Sequence, residues 1–95
     1  MELFVFARFH ACEGQAEAVA AAIREIVPFS GAEPGCRSIR AYRSMRAPLL
    51  FYIHSRWEDE AAFDAHAALP HTKRFLERVQ PLIDHPLDVA RTLPL

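Results

Sequence analysis

The stretch Leu3 to His10 constrains this chain most. It is rich in Phe and Val and contains no breaker, so it reads as a strand. Alternation puts Leu3, Val5, Ala7 and Phe9 on one face and Phe4, Phe6, Arg8 and His10 on the other. Both faces are largely apolar, so both need cover. Helices on one side of a sheet leave the second side for something else. The chain has 95 residues, enough for a single domain spanning 1–95. A domain this small buries a modest core, yet 52% of the residues are hydrophobic and seven are Phe. A second copy of the chain is the expected cover, giving a homodimer.

The rest of the pattern supplies the helices. Gly14 marks the turn out of the first strand. Gln15 to about Phe29 is Ala-rich, with Val19, Ile23, Ile26 and Val27 on one helical stripe and Pro28 expected to mark the end. Ser30 to Gly35 carries turn chemistry. Cys36 to Ser44 reads as a second strand, more exposed because of its arginines. Leu49 to Trp57 is the clearest strand. Phe51, Ile53, Ser55 and Trp57 share one of its faces; Leu50, Tyr52, His54 and Arg56 share the other. Glu58, Asp59 and Glu60 suit a first helical turn, and that helix runs to about Leu69. Pro70 breaks it, and a second helical piece repeats Phe75, Leu76, Val79 and Leu82. Leu87 to Leu93 is a last strand. The order β-α-β-β-α-β defines an α+β, ferredoxin-like fold: a four-stranded antiparallel sheet with helices on one face.

Composition removes several function classes. Net charge is −1 with no basic stripe, which argues against nucleic acid as a partner. The apolar runs are too short to span a bilayer, so no membrane is expected either. The first residues lack a basic and apolar leader pattern, which predicts a cytoplasmic protein. Cys12 and Cys36 have no zinc-like spacing and are expected to be reduced thiols.

Two stretches carry a specific pattern. One is Trp57-Glu58-Asp59-Glu60-Ala61-Ala62-Phe63-Asp64-Ala65-His66. The other is Leu69-Pro70-His71-Thr72-Lys73-Arg74-Phe75. With Gly14 and the turn Glu33-Pro34-Gly35-Cys36, they resemble the antibiotic biosynthesis monooxygenase domain family from about Val5 to Ile83. The resemblance implies a dimer whose two sheets face each other as a barrel, and a pocket in each subunit between sheet and helices. Members include cofactor-free oxygenases of quinols and phenols, haem-degrading enzymes and proteins without an assigned role. The His66 to Lys73 stretch looks closest to quinol monooxygenases. That implies a small aromatic substrate, molecular oxygen and no cofactor.

Such chemistry needs an apolar cage, a base and donors for a developing oxyanion. His66 shares a helical stripe with Ala62 and Phe63 and is the candidate base, since imidazole titrates near neutral pH. The alternative is a packed histidine bonded to backbone. Trp57, Phe51, Ile53, Ser55 and Phe63 are the expected pocket walls, with Ala7 and Tyr42 beside them. His71 and Lys73 are candidates for the pocket mouth, or are plain surface. His54 and Arg56 should face the partner copy. His66 and His71 are five apart across Pro70, so regular helical geometry does not bring them onto one metal, and no metal is expected.

The family's branches differ at particular positions. The haem-degrading branch places an Asn where Ala7 stands and an iron-ligating His where Leu76 stands, so no haem is expected. The phenol-oxidising branch has Asn in place of Ile53 and Tyr in place of Phe63, and many members have Glu in place of Ser55. Those losses keep two alternatives open: a non-catalytic binding or stress-related dimer, and a cofactor-free isomerase or cyclase.

Overall fold

A computed structural model describes residues 1–95. The elements are β1 (Leu3–His10), α1 (Ala16–Gly31), β2 (Cys36–Arg43), β3 (Leu50–Trp57), α2 (Glu60–Ala68), α3 (Pro70–Val79), a short 3-10 turn (Gln80–Leu82) and β4 (Asp88–Thr92). The four strands form one sheet in the order β2-β3-β1-β4. Every neighbouring pair is antiparallel. This is the ferredoxin-like arrangement expected from the element order, with the long helical stretch after β3 broken in two.

The alternation of β1 and β3 sets the layers. Val5 pairs with Ser55, Ala7 with Ile53 and Phe9 with Phe51, and these side chains turn toward the helices. Val19 and Ile23 of α1 are buried with Phe9, Phe51 and Ile53 in the main core. A second, smaller cluster joins Leu3, Val5, Trp57 and Phe63. Trp57 is completely buried, and its indole N–H donates to Ser55 Oγ at 2.9 Å.

In β2 an irregularity between Cys36 and Ser38 shifts the pairing, so the alternation changes sides there. Cys36 packs with the Trp57 cluster. Beyond the bulge, Arg40 pairs with His54 and Tyr42 with Tyr52, on the face away from the helices. Tyr42 therefore does not face the sheet–helix interior where a pocket wall was expected.

Two helix boundaries differ from the sequence reading. Pro28 does not end α1, which continues to Gly31. Pro28 and Arg24 both lie on the exposed side, so water can take up the Arg24 carbonyl that the ring leaves without a donor. Glu58 and Asp59 do not begin α2. Asp59 is its N-cap, and its carboxylate accepts the Ala62 backbone N–H at 2.8 Å.

The break between α2 and α3 is at Leu69, whose ψ of 146° is extended. A residue before proline is driven to that region. Pro70 then sits in the first turn of α3, where its missing N–H costs nothing. The chain changes direction at this point.

Candidate functional site

Between the sheet and the helices lies a cavity of about 220 Å³. Val5, Ala7, Phe9, Ile53 and Ser55 form its sheet side, and Phe63, His66, Thr72 and Phe75 part of its helical side. Leu76 and Val89 also border it and are partly exposed, so its mouth opens between α3 and β4. Twelve of its sixteen lining residues are hydrophobic; the polar ones are Ser30, Ser55, His66 and Thr72. His66 is thus the sole titratable group on the wall, and no Lys or Arg is present to hold an anion.

His66 is fixed from three sides. Its ring lies 4.6 Å from that of Trp57 and 5.4 Å from that of Phe63, tilted against both. Its Nδ1 lies 2.9 Å from Glu33 Oε2 and 3.1 Å from Oε1. An ionised carboxylate only accepts, so in a neutral ring this bond places the proton on Nδ1 and leaves the Nε2 lone pair free. The arrangement is that of a base oriented by a third group.

The same carboxylate also takes His71, whose Nε2 lies 2.7 Å from Oε2. Glu33 is only 9% exposed, which strengthens both contacts. The inference from spacing that His66 and His71 stay apart is corrected here. It took the Pro70 break as keeping them apart, but the turn at Leu69 and Pro70 lets both rings reach one carboxylate. His71 does not border the cavity. It lines an adjoining groove between α1 and α3, with its ring 5.9 Å from that of Phe29.

Glu33 is placed by a close backbone approach. A Cβ on Gly35 would stand 2.3 Å from the Cβ of Ala62, so only glycine lets the loop after α1 lie against α2. The Gly35 carbonyl accepts the Glu58 backbone N–H at 2.8 Å, tying this loop to the end of β3. Cys36 follows. Burial, and then the Glu33 charge, push its thiol above the ordinary thiol range, which disfavours the nucleophilic thiolate.

The sequence-derived wall residues divide cleanly. Ala7, Ile53, Ser55, Phe63 and His66 border the cavity. Trp57 and Phe51 do not: both are buried behind the lining, Trp57 as the support for Phe63 and His66. Tyr42 is on the opposite face and 53% exposed. Glu33 was read only as part of a turn. The signal for its role was already in that pattern, an acid next to Pro34-Gly35 with two histidines flanking a proline elsewhere.

The geometry therefore defines a small α+β domain with a largely apolar cavity and one carboxylate-oriented histidine on its wall. The sequence pattern of the family described as antibiotic biosynthesis monooxygenase matches residues 3–78, and the chain belongs to that family. The Bacillus subtilis (strain 168) protein named "Putative monooxygenase YcnE" is 30% identical over 69 residues, covering 73% of each chain. The solved structure of Rv0793 from Mycobacterium tuberculosis superposes with a TM-score of 0.94 at 27% identity, over 100% of this chain and 96% of that one. PA3566 from Pseudomonas aeruginosa gives 0.92 at 29%, over 99% and 94%.

Proposed function

We propose that this protein is a cofactor-independent monooxygenase acting on a quinol or polyhydroxylated aromatic compound in the cavity between sheet and helices. The observation that carries this reading is His66, held through Nδ1 by Glu33 at the wall of an apolar cavity. Nε2 takes the phenolic proton, and the electron-rich anion reacts with molecular oxygen. The Ser55 hydroxyl is engaged as an acceptor by Trp57, so its own O–H is free to donate to a developing oxyanion. A hydroquinone and oxygen yield a hydroxyquinone and water. One oxygen atom replaces a ring hydrogen, the other leaves as water, and the substrate supplies all the electrons. The protein contributes placement and electrostatics. A cavity of about 220 Å³ without a cation on its wall suits a compact ring without acidic substituents.

The test is oxygen uptake by chelator-treated protein across a panel of hydroquinones. Uptake is expected, falling by roughly 10²- to 10⁴-fold in His66→Ala. Glu33→Gln should lower kcat less, because the base is left present but poorly oriented. No uptake with any quinol, or full activity in His66→Ala, would sink the proposal. Turnover that persists under nitrogen would favour an isomerase or cyclase instead.

The same reading pairs two copies through the open face of the sheet. Phe6, Tyr42 and Tyr52 are 51%, 53% and 38% exposed there. Phe6 stacks on His54 with ring centroids 4.7 Å apart. Arg56 donates to Glu2 from Nη2, but its buried Nε has no partner within the chain.

A further inference from the structure

The shared carboxylate of Glu33 brings three candidate ligands together that the oxygenation reading uses only in part. Nδ1 of His66, Nε2 of His71 and a carboxylate oxygen of Glu33 all lie within 4.8 Å of one another. They come from three separate segments: the loop after α1, the last turn of α2 and the first turn of α3. We infer that these three side chains form a binding site for a divalent transition-metal ion of the zinc class. As it concerns the base of the proposed oxygenase, its regulatory consequence rests on that reading; the binding itself does not.

Two imidazoles and one carboxylate are the donor set of open zinc sites, which keep a further position for water or another ligand. Magnesium and calcium prefer all-oxygen sites, so two nitrogen donors disfavour them. The contacts now measure 2.7 Å and 2.9 Å, as hydrogen bonds do. Tetrahedral zinc with bonds near 2.05 Å would set its ligand atoms about 3.3 Å apart. The rings therefore need to withdraw from the carboxylate by roughly half an ångström, within the reach of rotamer adjustment.

A second group of the same composition provides an internal control. His10, Asp84 and His85 also approach within 4.8 Å of one another. Their side chains are 30%, 43% and 65% exposed, against 14%, 9% and 24% for His66, Glu33 and His71. Burial lowers the competition from water, and the two groups differ mainly in that respect. The buried group is the stronger site.

Metal binding inverts the polarity of the cavity wall. While Glu33 accepts from Nδ1, Nε2 of His66 is an acceptor and can remove a proton. Once Nδ1 coordinates the ion, the neutral ring must carry its proton on Nε2 and becomes a donor. Zinc occupancy therefore switches the base off.

The experiment is titration of chelator-treated, full-length protein with zinc chloride, by calorimetry and competition with a chromophoric chelator. One ion per chain is expected. Glu33→Gln and His71→Ala should each weaken binding by on the order of 100-fold, since even outer-shell losses cost 10- to 100-fold. His10→Ala should bind as the wild type does. Circular dichroism checks that each variant is folded; His71 is partly exposed and its removal leaves the core intact. X-ray absorption of the zinc-loaded protein should report two imidazoles and carboxylate oxygen. Absence of binding, or binding that survives both substitutions, or binding lost only in His10→Ala, overturns the inference. In the active assay zinc should inhibit quinol-dependent oxygen uptake at the concentration that fills the site. Zinc binding without quinol turnover leaves this site standing and removes the oxygenase reading. Turnover without zinc binding does the reverse.

Discussion

On the helix side of the sheet, Val5, Phe9, Phe51, Ile53 and Trp57 are all buried. One position along the same strands, Phe6 is 51% exposed and Tyr52 38%, although these rings are as apolar as their neighbours. The difference lies in what stands opposite. Helices α1 and α3 bring their own apolar stripes to one face, whereas nothing in the chain lies over the other. The covered face supplies the core and the cavity. The open face carries exposed aromatic rings beside the histidine His54.

That contrast is open to attack by substitution. The largest effect belongs to the covered face. Trp57→Ala should destabilise the fold by about 3–5 kcal/mol, measured by urea denaturation at fixed protein concentration. It opens a void behind Phe63 and His66 and removes the donor from Ser55. A loss below about 1 kcal/mol would mean that this face is not where stability resides.

Gly35→Ala comes next, at about 1–3 kcal/mol by the same measurement, because the new methyl has no room against Ala62. The displaced loop should take Glu33 away from His66 and lower activity as well. A variant that keeps wild-type stability and turnover would break the link between the Gly35 contact and the site.

On the open face, Phe6→Asp should alter assembly while the fold persists. Light scattering is expected to give twice the chain mass of 10.8 kDa for the wild type and once that mass for the variant. An unchanged mass would place the contact elsewhere. The effect on secondary structure should be slight, since Phe6 packs on no helix.

The smallest effect concerns Asp84, at the margin of the open face. Hydrogen bonding from His85, and then from His10, holds its carboxyl below the ordinary carboxylate range. A lowered folded-state value means a stabilising contribution that is complete above the unfolded pKa. It is lost as the pH falls through the folded value. Carbon-detected NMR titration should find Asp84 titrating below a free aspartate, and His10→Ala with His85→Ala should restore the ordinary value. An ordinary value in the unaltered protein would contradict the pairing.

Much of the fold was legible because the strands have two-residue periodicity and few ambiguous positions. The faces of β1 and β3, the helical stripe of α1 and the break at Pro70 all follow from side-chain patterning. The cavity residues Ala7, Ile53 and Ser55 follow from the strand parity, and Phe63 and His66 from the helical stripe of α2. Tyr42 was not legible, since the shift between Cys36 and Ser38 changes sides without any Gly or Pro to mark it. Nor was the meeting of Glu33 with His66, which lies across 33 residues and depends on tertiary packing. The spacing rule failed for His71 because it covers contacts along a regular helix and not those made across a proline turn. Trp57 was correctly taken as an inward residue, but its full burial makes it a support for the cavity wall and not the wall itself.

The most direct test of the oxygenase reading is isotopic. Chelator-treated protein is given a hydroquinone under ¹⁸O₂ in ordinary water, and the products are weighed by mass spectrometry. A hydroxyquinone carrying one labelled atom is expected, formed by the wild type and nearly absent with His66→Ala. Unlabelled product, or labelled product formed equally well without the His66 imidazole, would contradict it.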